Sequence, residues 1–597
     1  MILRELVRYY QRKTTDIDAA QRLPSFGLED KQIPFVIELS PDGRVVQLHD
    51  TRVPDGKKLR ARSFLVPQGV KKTSAIAANL LWDSAEYVLG VDTRHNPERV
   101  GEQHAHFRAR LAALPASAQD DEGLRAVKAF LHIGDDRPGG TPDLTALECS
   151  PVWKEIVETN PVMSFQLAGD TGLVCQRQAI VEAAQPAAAG EETPGFCLVE
   201  GQEAPIQRLH TAIKNVWGAQ SSGANIVSFN LDAFNSYGKS QGANAPIGKR
   251  AEFAYTTALN HLLDKGSRNR VQVGDSSTVF WADGPSRFDS EFTLADFFGE
   301  PRKDDPDCNS RAVQALYQSL RSGQVPAEDL HTEFFVLGLA PNAARISIRF
   351  WLRAPLKDLA PRILQHFSDL RVVRRYDGDP PAPSLLRLLS SLALQGKLDN
   401  VPARLAGEWM RAILEGLPYP SALLNAAVTR CKAEQNVPYL RAAVIKAWLN
   451  REYRRSHPHL AHDHAFFKES LDMEQDNPAY RLGRLFAVLE RVQEAAQPGI
   501  NSTIRDRYYG AASTTPVAVF TTLLRLKNAH LKKLNDGPVS YFERLIGEIL
   551  APLAGFPRQL SLQDQARFAL GYYHQRQAFY ARKAEGRDPT ATDTEED

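Results

Sequence analysis

The residue types best suited to chemistry gather in one stretch, Asn225–Arg250, which reads NIVSFNLDAFNSYGKSQGANAPIGKR. Its middle is a loop of Asn235, Ser236, Tyr237, Gly238, Lys239, Ser240, Gln241, Gly242 and Asn244. Glycine lets backbone amides approach a ligand closely. Asn and Gln present paired donors and acceptors, and Lys adds charge. That composition suits a polyanion reader or an elaborate turn. The apolar, β-branched run Asn225–Leu231 predicts a strand before the loop. Apolar residues at helical spacing over Gly248–Leu263 predict a helix after it. Within the loop, Ala233-Phe-Asn-Ser-Tyr-Gly-Lys-Ser240 fits a relaxed phosphate-loop spelling with Ala in place of the first Gly. A working phosphate loop starts a helix at its Lys, so that N-terminal amides point at phosphate. Here Gln241–Pro246 resists a helix start, and no apolar strand ending in Asp for magnesium is evident. A P-loop-like NTPase stands as an alternative.

Four other groups carry potential chemistry. His457, His459, His462 and His464 fall within eight residues, and histidine is the commonest metal ligand. Pro458 interrupts helical geometry there and Asp463 is the only nearby carboxylate. A solvated inter-helix loop is the plain reading, and a metal-dependent nuclease the sharper one. The segment Asp92–Arg99 reads as a helix cap, with Thr93 or Asn96 as N-cap, and no GxSxG nucleophile motif occurs. Lys71 and Lys72 sit in a Gly/Pro loop downstream of Lys57, Lys58, Arg60 and Arg62. This basic window is a candidate for phosphate contact, or a solvated face. In the last quarter, Arg505, Arg507, Arg525, Lys527, Lys532 and Lys533 lie near Tyr508 and Tyr509. Arg525 and Lys532 share a helical face, which suits a groove tracking a nucleic-acid strand; ordinary solvated helices carry the same pattern.

These groups need a scaffold, and the pattern supplies one. The 597 residues allow about three to four domains. A net charge of +1 excludes a uniformly polybasic coat, so any polyanion contact is local. Five scattered cysteines with no CxxC pair argue against zinc ribbons and for a reducing compartment. The opening MILRELVRYYQRK has no apolar core of a signal peptide, and no run reaches the ~20 apolar residues of a membrane span. A cytoplasmic protein is expected. Helices are predicted at Ile2–Arg12, Ala75–Leu89, Asn96–Leu114 and Leu124–Ile133, and a hairpin pairs Pro34–Leu39 with Arg44–His49. Further strands are predicted at Arg62–Val66, Met163–Leu167, Gly172–Cys175, Phe196–Glu200, Arg270–Val273 and Ser277–Trp281. Ala184–Pro194 reads as a surface loop. A hairpin over Thr332–Leu352 ends the β-structure.

From Leu356 onward every predicted element is helical, with a break at Ser456–His464. The fold class is α+β, a mixed α/β N-terminal body followed by an all-helical C-terminal bundle. The expected domains are 1–355, readable as one body or as subdomains 1–160 and 161–355, then a helical connecting region 356–472, then a bundle 473–597. The polar, acidic tail from about 586 is expected to be disordered.

Against that background the run Ser228-Phe229-Asn230, Ala233-Phe234, Ser236-Tyr237-Gly238-Lys239, Gln241, Asn244-Ala245-Pro246 resembles the large subunits of the type I-C CRISPR surveillance complex (Cascade). The opening MILRELVRYY, Gly90-Val91-Asp92 with Arg99 and His104–Phe107, and the hairpin FFVLGLAPNAARISIRFW are similar to that family in the same order. The resemblance implies a non-catalytic subunit without cofactor or metal. Its implied partners are a CRISPR RNA-containing complex with backbone and 5′-end-capping subunits, target duplex DNA and a helicase–nuclease. It implies recognition of a protospacer-adjacent motif, duplex opening and retention of the displaced strand. Under it, Asn235, Ser236, Lys239, Gln241 and Asn244 become motif-reading candidates. Lys71 and Lys72 become phosphate contacts, and Arg505, Arg507, Arg525, Lys527, Lys532 and Lys533 displaced-strand contacts. It also implies a small subunit translated from within the same gene. The chain has four methionines, and Met473 stands just before the last helical block, so a product starting there has 125 residues.

Overall fold

The Ser40-Pro41-Asp42-Gly43 turn anchors the N-terminal sheet. Gly43 adopts φ 83°, and a Cβ there would lie 2.7 Å from the Ala129 side chain and 2.8 Å from the Phe130 amide. Only glycine lets the hairpin tip settle onto the helix Glu122–Phe130. The computed structural model describes residues 1–16, 22–56, 58–70, 76–134, 142–184, 194–284, 293–301, 304–322, 330–376, 378–402, 404–459 and 465–584. Its strands run in chain order: β1 (Leu28–Gln32), β2 (Phe35–Leu39), β3 (Val45–Asp50), β4 (Val53–Asp55), β5 (Lys58–Arg60), β6 (Ser63–Pro67), β7 (Trp82–Ser84), β8 (Val162–Leu167), β9 (Pro194–Phe196), β10 (Glu203–Pro205), β11 (Arg270–Val273), β12 (Ser276–Ala282), β13 (Glu333–Asn342) and β14 (Arg345–Pro355). The chain divides into two units that interleave in sequence: Met1–Thr211 with Val227–Leu259, and Ala212–Ile226 with Asn260–Asp597.

The first unit is built on a four-stranded sheet in the order β3-β2-β8-β7, with β2 and β8 parallel and the outer pairs antiparallel. Both faces of these two central strands are largely covered, burying Phe35, Val36, Ile37, Leu39, Met163, Ser164 and Phe165. Phe107 and Phe130, from the helices Pro97–Ala112 and Glu122–Phe130, meet the Phe165 ring at 6.5 and 6.0 Å. Asn96 caps the first of these helices, its side chain accepting from the Arg99 amide, and Asp92 accepts from the Arg94 and Asn96 amides. The Asp92–Arg99 loop therefore does the structural work its composition suggests.

The second unit joins a meander to a helical mass through one continuous core. β11-β12-β13-β14 are antiparallel neighbours. Trp281, Phe335 and Trp351 stack across three of these strands at 5.4–5.6 Å. Gly338 makes room for Phe350, whose ring would lie 2.3 Å from an added Cβ. After Pro355 every regular element among the described residues is helical. The helices Pro478–Ala496 and Leu562–Ala584 touch backbone to backbone. A Cβ on Gly483 would fall 2.0 Å from the Phe568 carbonyl oxygen, and one on Gly571 would fall 2.1 Å from that of Tyr480. Any larger residue at either position forces these helices apart.

Several sequence expectations are corrected. Asn225–Leu231 is not a strand: Asn225 alone bridges to Arg345, and the chain passes between units after Ile226, so no single sheet pairs the run. Of the helix expected over Ala75–Leu89, whose first residue lies outside the described ones, only Ala85–Leu89 forms among the rest. Asp83 accepts from the Asn79 and Ser84 amides and folds the preceding residues into a turn and the short strand β7. Gly172–Cys175 ends in a 3-10 turn at Val174–Gln176, where the Gln176 side chain accepts from the Leu173 amide. Phe196–Glu200 turns back after β9, with the Cys197 amide donating to the Gln202 carbonyl. The helix Cys308–Ser322 went unread from sequence. Most of the Ala184–Pro194 loop and the acidic tail lie outside the described residues. Among the described residues no helix is long and apolar enough to cross a membrane.

Candidate nucleic-acid interface

The polar loop is a braced structure. After a 3-10 turn at Asp232–Phe234, Ser236 and Lys239 face each other across a two-residue turn, and the Lys239 amide donates to the Ser236 carbonyl at 2.9 Å. The turn residues Tyr237 and Gly238 have φ 51° and 69°. Left-handed geometry at both central positions is that of a tight hairpin turn, and it costs strain at a tyrosine. A second 3-10 turn, Gln241–Asn244, follows. Asn244 reaches back over the loop. Its Oδ1 accepts from the Ser236 amide at 3.0 Å, and its Nδ2 donates to the carbonyls of Gln241 at 3.0 Å and Lys239 at 3.2 Å. The Asn235 side chain is a longer contact at 3.4 Å.

Gly242 moors the brace to the neighbouring segment. Its amide donates to the Arg208 carbonyl at 3.1 Å, and an added Cβ would lie 2.3 Å from the Gln207 carbonyl oxygen. The Gln207 amide donates to the Ile247 carbonyl, and the helix Lys249–Leu262 begins only after that.

This geometry sorts the five motif-reading candidates. Asn235, Ser236 and Lys239 are exposed, and Lys239 has no ion pair among the described residues. Asn244 is spent on the loop itself. Gln241 is half-buried, its side-chain carbonyl oxygen shut from solvent and without a hydrogen-bond partner among the described residues. The residue that sequence reading passed over as a reader is Tyr237, which is 98% exposed at the turn tip. The signal was an aromatic residue preceding glycine inside a polar turn. The loop is also unlike a phosphate cradle. No strand enters it, the Lys239 amide is bonded to Ser236, and the helix starts well beyond Ser240.

The remaining candidates fall apart into separate cases. Lys71, Lys72 and Lys57 lie outside the described residues. Arg62 is described and lies over the Phe64 ring. His462 and His464 are also outside; His457 stacks on Tyr453 with centroids 4.1 Å apart, and His459 lies beside it. Among the described residues no group of three or more His, Cys, Asp or Glu is arranged to hold a metal ion.

In the rear bundle, Arg505 is half-buried beside Glu490 and Asp506 at 3.8 and 3.6 Å, and Lys527 pairs with Glu543 at 3.4 Å. Arg507, Arg525, Lys532 and Lys533 are exposed, with no ion pair among the described residues. Lys532 continues the right-handed turn at the end of the helix Pro516–Leu531, so it stays on the face of Arg525.

A mixed α/β N-terminal region, an all-helical C-terminal region, a braced polar loop and a set of solvent-facing cations thus occur in one chain. Residues 6–580 match the family model described as CRISPR-associated protein (Cas_Csd1). The chain belongs to this family of CRISPR-associated proteins. No curated protein matches it.

The brace makes a local prediction. Asn244→Ala leaves the Ser236 amide without its acceptor, whereas Lys239→Ala leaves the brace intact. Losing such a bond is worth about 1–1.5 kcal/mol, or roughly tenfold in amide exchange. Hydrogen exchange at Ser236 should therefore quicken about tenfold in the first variant and not in the second. Equal exchange in both contradicts a bracing role for Asn244.

Proposed function

We propose that this chain is the non-catalytic large subunit of a type I-C RNA-guided surveillance complex (Cascade). The observation that carries the reading is the family match across residues 6–580. In this account the chain binds duplex DNA, recognises the protospacer-adjacent motif, promotes opening and R-loop formation, holds the displaced strand and receives a helicase–nuclease. Target sequence is read by base pairing with the guide RNA, which leaves the protein only the short motif and the backbone to recognise. It works beside backbone and 5′-end-capping subunits in the cytoplasm.

The braced loop suits the motif-reading task. Asn235, Ser236 and Lys239 offer side-chain donors and acceptors to base edges, and Lys239 also offers charge to phosphate. Asn244 acts one step back, by holding these three in register. Tyr237 projects a flat apolar ring from a rigid turn, the form of side chain that stacks against an unpaired step and stabilises an opened duplex. Lys71 and Lys72 are proposed phosphate contacts. In the rear bundle Arg507, Arg525, Lys532 and Lys533 are the proposed displaced-strand contacts, with Arg505 and Lys527 mostly committed to internal pairs.

The division into 1–355, 356–472 and 473–597 belongs to the same proposal. The last segment contains both partners of the glycine-to-backbone helix contact, which suits a bundle also made on its own. Met473 is half-exposed ahead of the helix Pro478–Ala496 and is the proposed internal start. N-terminal sequencing of the smallest subunit in the purified complex should begin at Met473; a start after Tyr480, inside the helix, contradicts it.

Substitution in the loop tests the motif-reading role. Asn235→Ala or Lys239→Ala in the assembled complex should cost about 1–3 kcal/mol on targets carrying the correct motif and flatten motif preference. Equal weakening on every motif assigns the residue to phosphate contact instead. ATP turnover abolished by Lys239→Ala would replace this account with an NTPase.

A further inference from the structure

A second site lies in the helical part of the second unit, and Arg505 is the one sequence-named candidate among its described lining residues. It is a cleft of about 330 Å³, lined mostly by arginine and tyrosine. Arg375 comes from the connection between the helices Leu356–Leu370 and Leu385–Leu392. Its guanidinium lies over two rings at once, Tyr376 at 4.9 Å and Tyr580 at 4.0 Å. Arg576 lies over the same Tyr580 ring at 5.4 Å and donates to its hydroxyl at 2.8 Å.

The charges in this cleft are unequal in what they leave free. Arg576 is bonded to Glu494 at 2.8 Å and stands 3.6 Å from the fully buried Glu490. Arg505 stands 3.8 Å from the same carboxylate. These two arginines neutralise the buried Glu490. Arg375 is exposed and makes no ion pair among the described residues. Among the described residues the one carboxylate lining the cleft is Asp379, which accepts weakly from the Tyr376 amide at 3.4 Å while Arg374 donates to its carbonyl, so it shapes the turn that presents Arg375. The long helix Tyr439–Ser456 opens on the same cleft with no side-chain cap on its first turn. The uncapped helix start and Arg375, which has no ion pair among the described residues, border the same cleft, and both favour an anion. Tyr376 is 60% exposed beside them, with the Arg375 guanidinium over its ring.

We propose that this cleft binds one nucleotide unit of a single-stranded nucleic acid, with the phosphate on Arg375 and the unstacked base on Tyr376. A guanidinium resting over two tyrosine rings is partly ordered before any ligand arrives, and its planar fork of N–H donors suits a phosphate. Stacking on an exposed tyrosine accepts any base, as single-strand binding requires. A strand is favoured over a free nucleotide because a second hollow, lined by Arg374 and Glu469, shares Tyr376 and extends the surface past one residue's worth of ligand. The inference rests on the DNA-engaging reading above, and adds to it a site built from residues more than 200 positions apart.

The test uses the full chain and a fluorescein-labelled oligothymidylate strand, read by anisotropy, with an abasic strand of equal length and thymidine monophosphate as separate arms. Arg375→Ala and Tyr376→Ala should each weaken the oligothymidylate about tenfold. The abasic strand should bind the wild-type chain more weakly, and Tyr376→Ala should remove that difference. Arg375→Lys should recover only part of the loss. Competition by thymidine monophosphate at concentrations matching its nucleotide content supports the same site with a free nucleotide as its source. Wild-type affinity in both alanine variants overturns the cleft, and does so alone if the assembled complex still prefers duplexes with the correct motif. If the wild-type chain binds neither the strand nor those duplexes, the cleft and the DNA-engaging reading fall together. Tyr376 is exposed, so its substitution leaves the core untouched, and unchanged thermal melting of that variant separates lost binding from lost folding.

Discussion

One carboxamide holds the candidate interface together. Asn244 accepts from the Ser236 amide and donates to the carbonyls of Lys239 and Gln241, closing a ten-residue excursion on itself. A polar loop without such a brace would lose most of its binding free energy to ordering, because each freed residue carries conformational entropy that contact must offset. The brace removes that cost before any ligand arrives. It also explains why so polar a segment is stable with no strand on one side and a delayed helix on the other. Gly242 supplies the second fixed point, pressed against the Gln207 carbonyl where no side chain fits.

The same logic of fixed points governs the helical mass. Gly483 and Gly571 let two long helices meet without intervening side chains, and the residues around that contact are almost all buried. The rigid pair then presents Arg576 and Tyr580 on one side of the arginine–tyrosine cleft, while the connection carrying Arg375 and Tyr376 supplies the other. Both candidate surfaces thus use the same device. Backbone is locked by glycine or by an amide side chain, and the exposed chemistry is short, aromatic or cationic.

How much of this was legible in the sequence follows from how local each cause is. The rear helices were readable because their signals are local: Asn477 and Pro478 open one helix, Ser384 caps another, and Thr503 with Asp506 forms a capping box. The β2–β3 hairpin was readable from its turn residues. The run Asn225–Leu231 was misread because β-branched composition states a preference, whereas a strand needs a partner edge. The bracing bonds of Asn244 were not legible, because they lie across the loop, where linear spacing does not show them. The exposed ring of Tyr237 depends on a left-handed turn that a tyrosine seldom adopts. The cleft around Arg375 was beyond reach, since its walls come from four separate segments.

The central claim is that this CRISPR-associated chain acts inside an RNA-guided complex as its DNA-engaging subunit. The most direct measurement is purification of the chain from cells expressing its native partners, followed by analysis of bound RNA and of duplex binding with and without a correct adjacent motif. The account predicts that a CRISPR RNA and repeated backbone subunits accompany the chain, and that the assembly binds duplex DNA in a motif-dependent way. A chain that purifies free of RNA and partners, or an assembly indifferent to the motif, contradicts it.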